Sequence, residues 1–251
     1  MVRYTPRSEL SADDKEQTGS TAADPGFVST TLYGPLWNQS LASMLFDDPS
    51  SLEPDDVLNW LTLCFAGLDR EEQEAYRLLS ASIDLPPFLL DYLGIGASRE
   101  DIREYFMACR QELELTAVLT LTAAAEARIR LDAASRMEKS KDDLAKRFCV
   151  LRSSARTLWS IPLYEDGIVD AWKTYIGSLT DLLALERARL LTAVGRFKNL
   201  LSIRHWVAHG RYWQLQRGIE HYPPADAAEI VCELFDALRI AADQRSLMSF
   251  V

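Results

Sequence analysis

Two of the chain's three histidines, His205 and His209, lie four residues apart in the run Ile203-Arg204-His205-Trp206-Val207-Ala208-His209-Gly210-Arg211-Tyr212-Trp213. On a helix, residues i and i+4 share a face, so the two imidazoles would stand side by side, and the long Arg204 side chain, one step around, could swing toward either. Cleaving a phosphodiester needs a fixed cation for the charge that builds on the phosphorus oxygens, and a group that exchanges a proton near neutral pH. Arginine supplies the first with planar, bidentate geometry. Histidine supplies the second. Gly210 is a natural helix stop, which places His209 at an open helix end and not in a packed middle. Arg211, two residues further on, is an added phosphate contact, and Tyr212 and Trp213 are flat surfaces on which bases stack. Trp206, at the same spacing, reads as a core or interface aromatic. The competing reading is that both histidines simply pack or cap.

Zinc fits this segment poorly. Position 206 is Trp where a His-Glu-x-x-His protease carries its glutamate, and a third ligand would have to come from His221. The expected chemistry uses no metal and no cofactor.

The charge distribution agrees with a focused anion site. The chain of 251 residues carries a formal net charge of -10, which argues against a general nucleic-acid coat protein. Yet residues 186–217 hold seven basic side chains (Arg187, Arg189, Arg196, Lys198, Arg204, Arg211 and Arg217) against Glu186 alone. Arg187, Arg189, Arg196 and Lys198 read either as a solvated face or as half of a positive groove completed by a second protomer, with Lys198 a candidate RNA contact.

The elements that must position these residues read as helices throughout. Residues 1–26 are polar and poor in apolar side chains, the composition of a flexible tail. Residues 27–97 form a helical extension of short helices: one from Pro54 to Gly67, a second capped by Asp69, a third opened by Pro86-Pro87. Ser98 caps a long Ala-, Leu- and Glu-rich stretch running to about Met137 without Gly or Pro, one helix or two with a bend. Further helices are expected over Lys141 to Trp159, Asp166 to Ile176, Leu182 into the Arg/His segment with a break at Gly195, and Asp226 to Asp243. Alternating β-branched runs are lacking, so the class is all-α, an antiparallel helical bundle. The four cysteines sit among apolar neighbours and read as buried free thiols of a reducing cytoplasm. Leu115 to Ala125, the longest apolar tract, is too short to span a bilayer, so no membrane association is expected.

The pattern Arg204-His205-x-x-x-His209, late in an all-α domain, resembles the Arg-x4-6-His signature of the HEPN superfamily (higher eukaryotes and prokaryotes nucleotide-binding), in which the residue after the arginine is polar. The resemblance extends faintly to Glu126-Ala127-Arg128-Ile129-Arg130-Leu131-Asp132 and to Asp166-Gly167-Ile168-Val169-Asp170-Ala171-Trp172; it covers residues 98–245, within a helical domain expected over 98–251. It implies a four- or five-helix bundle and, in many members, metal-independent endoribonuclease activity at a composite site shared by a homodimer. His209 would then serve as general acid or base at the ribose 2′-hydroxyl, Arg204 would hold the scissile phosphate and His205 would orient or assist, leaving a 2′,3′-cyclic phosphate. A toxin or phage-defence effector restrained by an antitoxin or other partner protein is the implied setting. Members paired with a nucleotidyltransferase antitoxin carry tyrosine two residues after the histidine, where this chain has Arg211. Other members only bind nucleotide or RNA, or scaffold larger complexes, and that is the alternative.

Glu126 with Arg130, and Arg128 with Asp132, are i,i+4 pairs, expected to form surface salt bridges. The other reading is that Glu126 or Asp132 reaches across the bundle and positions the Arg204 guanidinium.

Overall fold

A computed structural model of the chain describes residues 52–208, 222–244 and 249–250, all within one compact unit spanning 38–251. Among the described residues every regular element is helical and no strand occurs: α1 (Pro54–Ser80), α2 (Pro87–Leu93), α3 (Arg99–Lys139), α4 (Asp143–Ser153), a 3-10 turn (Leu158–Ser160), α5 (Ile168–Gly177), α6 (Ala184–Ala208) and α7 (Pro224–Asp243).

The organising element is α3, 41 residues without Gly or Pro. It starts at a capping box in which Ser98 Oγ accepts from the Asp101 amide at 3.2 Å and the Asp101 carboxylate accepts from the Ser98 amide at 2.7 Å. It packs against each of the other six helices described here. From Ala117 to Arg136 its buried residues occupy all sides, including the polar Glu126, Arg130, Asp132 and Arg136. A helix enclosed all round must satisfy its polar side chains inside the protein. The Glu126–Arg130 pair is therefore buried and not a surface salt bridge, and Asp132 makes a second buried pair with Arg136. The core around α3 includes Phe148 of α4, Trp172 of α5, Phe197 of α6 and Leu234 of α7.

Four local expectations are corrected. Gly67 does not end a helix, for α1 runs through it to Ser80, and Gly195 does not interrupt α6. A lone glycine costs a helix about 1 kcal/mol relative to alanine, less than the burial of a single core residue such as Val57 or Val194 gains. The helix expected to reach Trp159 stops at Ser153, and Leu158–Ser160 forms its own turn. The cysteines are free but not buried: Cys64 and Cys109 are half-buried, Cys149 and Cys232 exposed. Apolar sequence neighbours do not fix which side of a helix a residue occupies.

Residues 52–97, read as an extension, share the bundle's packing. Val57 and Leu61 of α1 belong to the main core, and a smaller cluster of Ala75, Leu85, Leu89, Ile102 and Phe106 joins α1 and α2 to the start of α3. The tail over 1–26 lies outside the described residues.

Candidate functional site

Arg204 lies just before the last turn of α6, where its Nη2 approaches Oε2 of Glu126 on α3 at 3.0 Å. The other oxygen of that carboxylate, Oε1, accepts from Nε of Arg130 at 2.9 Å and lies 2.8 Å from its Nη2. Arg130 is anchored in turn, its Nη1 donating to the carbonyls of Leu158 at 3.1 Å and Ile161 at 2.7 Å. The Arg130 and Glu126 side chains are 6% and 10% exposed, whereas Arg204 is 36% exposed. Two buried members are thus held from both sides, and the third faces solvent.

The carbonyls that fix Arg130 sit on a tightly specified turn. The Ser160 amide donates to Thr157 Oγ1 at 3.2 Å and the Thr157 amide to Ser160 Oγ at 2.9 Å. Just beyond, the Ile168 amide donates to the Pro162 carbonyl at 3.0 Å, and a Cβ on Gly167 would stand only 2.1 Å from that carbonyl oxygen. Only glycine permits this approach of the backbone to itself. Gly167 thereby ties the start of α5 to the segment that carries the Arg130 anchor.

One carboxylate shared by two guanidiniums leaves a local charge of +1, and the half-buried Arg204 is the member open to solvent. Among the described residues, Glu126 Oε2 and Arg204 Nε have no hydrogen-bond partner, so the Arg204–Glu126 contact is ionic attraction at close range without hydrogen-bond alignment. Arg204 is steered by charge, and its side chain keeps 36% of its surface open to solvent. That is the state in which a guanidinium can take a phosphate oxygen.

The other basic residues of the segment are distributed around α6. Arg196 pairs with Glu233 of α7, Lys198 with Asp170 of α5 at 2.8 Å, and Arg187 Nη1 donates to the Leu179 carbonyl at 3.0 Å. Lys198, read as an RNA contact, also lies over the Tyr164 ring at 5.9 Å. Burial works to raise the Asp170 pKa, but hydrogen bonds from Lys198 and from the Asp166 amide outweigh it and hold the carboxyl below its usual range. Cations near one another in sequence point in several directions on a helix, so Arg187, Arg196, Lys198 and Arg204 do not collect on one face.

His205 is exposed on the last turn of α6 and Trp206 is half-buried. His209, Arg211, Tyr212, Trp213 and His221 lie outside the described residues. Glu126 is the carboxylate that reaches Arg204. Asp132 pairs with Arg136 at 2.8 Å, both fully buried, with the Arg136 guanidinium 4.7 Å from the centre of the Trp172 ring. Arg128 reaches Glu53 at 2.9 Å. Sequence reasoning missed Arg130 as the anchor of the cluster. The signal was present in the Ala-rich, apolar stretch just before it, which marks a helix buried on more than one side.

Among the described residues no group of three or more His, Cys, Asp or Glu side chains could hold a metal ion, and no helix is long and apolar enough to cross a membrane. No protein-family model, curated protein or solved structure matches the chain.

Proposed function

We propose that the Arg204 end of α6 is the active site of a metal-independent endoribonuclease of the HEPN type. The observation that carries the reading is the shared Glu126 carboxylate, which holds a half-buried arginine against a buried one and leaves the cluster with a surplus positive charge. That arginine is the one the Arg-x4-His spacing singles out, and Glu126 is one of the two carboxylates expected to position it.

The chemistry follows from the residue types. His209 takes the proton of a ribose 2′-hydroxyl, whose oxygen attacks the adjacent phosphorus. Arg204 stabilises the charge on the phosphorane oxygens, and the P–O5′ bond breaks with return of a proton to the leaving oxygen. The products are a 2′,3′-cyclic phosphate and a 5′-hydroxyl. His205, exposed one residue on from Arg204, stands where it can orient the substrate or share the proton transfer. One arginine and two histidines make a sparse site; a two-fold axis through a homodimer would double them. A toxin or phage-defence effector, restrained by a partner protein, is the setting that goes with such an activity.

A non-catalytic HEPN domain that binds nucleotide or RNA, or scaffolds a larger complex, is the second reading. It is favoured by the pairing of Lys198 with Asp170 and of Arg196 with Glu233, which reduces the positive surface available to RNA. Expression of the wild type beside His209→Ala separates the two. The nuclease reading requires growth arrest and RNA breakdown with the wild type and neither with the variant; equal toxicity and equal RNA loss in both would replace it with the binding reading.

A further inference from the structure

Trp159 is 57% exposed although it sits in a well-anchored turn, and it adjoins the charged cluster directly. Its ring centre lies 5.7 Å from the guanidinium carbon of Arg130, the same guanidinium that fixes Glu126 and through it Arg204. Leu158, just before it, and Ile161, two residues after it, supply the carbonyls that hold Arg130. The hydrogen bonds that hold Arg130 thus also fix the turn carrying the indole, and Arg130 connects to Arg204 through Glu126, yet most of the indole surface meets water.

Beside it runs an open groove of about 470 Å³ between α3 and α4, lined by Met137, Glu138, Cys149, Arg152 and Leu158 among others. Ala134 and Glu138, which line it, follow Glu126 and Arg130 along one stripe of α3 at intervals of four residues. Arg152 Nη1 is engaged by the Ala155 carbonyl, and Glu138 repels a phosphate, so the groove suits a base and not the backbone that carries it.

We propose that Trp159 is a nucleobase-stacking platform, receiving a base next to the phosphate that Arg204 holds, with the α3–α4 groove taking the base beyond it. The inference rests on the ribonuclease reading and extends it to a substrate class: single-stranded RNA with an unpaired base beside the cut. Every base has a flat π face, so stacking gives affinity with little sequence preference, and it releases no counterions.

The test is binding of a fluorescent single-stranded 2′-O-methyl oligoribonucleotide, which lacks the attacking hydroxyl, to wild type, Trp159→Ala and Trp159→Phe across a salt series. Trp159→Ala should weaken binding about five- to hundred-fold, with the slope of log affinity against log salt unchanged, and Trp159→Phe should restore most of the loss. Helix content by circular dichroism should match wild type, since the side chain is mostly exposed. Equal affinity of Trp159→Ala and wild type overturns the platform, as does a loss that Trp159→Phe does not repair. If binding is unaffected while His209→Ala still abolishes cleavage, the platform falls and the nuclease reading stands. A wild type that neither binds nor cleaves RNA removes both.

Discussion

Replacing Glu126 by alanine would leave the Arg130 guanidinium buried with only the Leu158 and Ile161 carbonyls as acceptors. Removing one partner of a buried ion pair costs about 3–5 kcal/mol, because the remaining charge stays desolvated. Two surviving carbonyl contacts put this case at the low end, about 3 kcal/mol. For a chain of this size each kcal/mol moves the melting temperature by about 2–4 °C, so Glu126→Ala should melt roughly 6–12 °C below wild type. Arg204→Ala is the contrasting perturbation. It leaves the Glu126–Arg130 pair intact and removes a side chain that is 36% exposed, so solvent screening limits its cost to less than about 1 kcal/mol. Glu126→Gln, which keeps an amide oxygen for Arg130, should fall between the two. Thermal unfolding followed by circular dichroism reads all three. A Glu126→Ala protein that melts within about 2 °C of wild type, or an Arg204→Ala protein destabilised as much as Glu126→Ala, would refute the assignment of Glu126 to Arg130 first and Arg204 second.

Arg204→Lys should recover little of the cleavage lost in Arg204→Ala, because an ammonium cannot contact carboxylate and phosphate in a planar fork; near-wild-type rates in the lysine variant would remove that requirement. The depressed Asp170 pKa contributes stability that is fully present above the ordinary carboxylate value of about 4 and is lost as pH falls through the folded value. Asp170→Asn should therefore be less stable than wild type at pH 6 and converge with it in acid, as urea unfolding across pH would read; a constant gap at every pH contradicts the Lys198–Asp170 linkage. Cleavage per chain should drop on dilution below the dimer dissociation constant, whereas constant activity down to monomer by light scattering contradicts a composite site.

The helical class was legible because long segments such as 99–139 combine strong helix formers with no breaker and begin at a recognisable cap. Gly67 and Gly195 misled because punctuation by a single glycine is weak against burial of the surrounding helix, a tertiary effect that local reading does not contain. At the site, Arg204 and Glu126 were each legible as candidates, one from its spacing to histidine and the other from its place beside an apolar tract. The sharing of Glu126 between Arg130 and Arg204 was not, since it depends on how α6 rotates against α3. For the same reason the basic run over 186–217 read as one patch, although Arg196, Lys198 and Arg204 meet carboxylates on three different helices. Trp159 gave no sequence signal at all: its significance lies in the carbonyls on either side of it, and backbone hydrogen bonding to a distant arginine leaves no pattern in residue types.

Arg204 and His209 are proposed to cleave RNA by attack of its own 2′-hydroxyl, without a metal. The most direct test of that mechanism is incubation of purified wild type and His209→Ala with an end-labelled oligoribonucleotide in excess EDTA, followed by mapping of the product ends. The wild type should give fragments ending in 2′,3′-cyclic phosphate and beginning with 5′-hydroxyl, and His209→Ala a rate at least about a hundredfold lower. Cleavage that needs a divalent ion, products carrying 3′-hydroxyl and 5′-phosphate ends, or equal rates from the two proteins would contradict that mechanism.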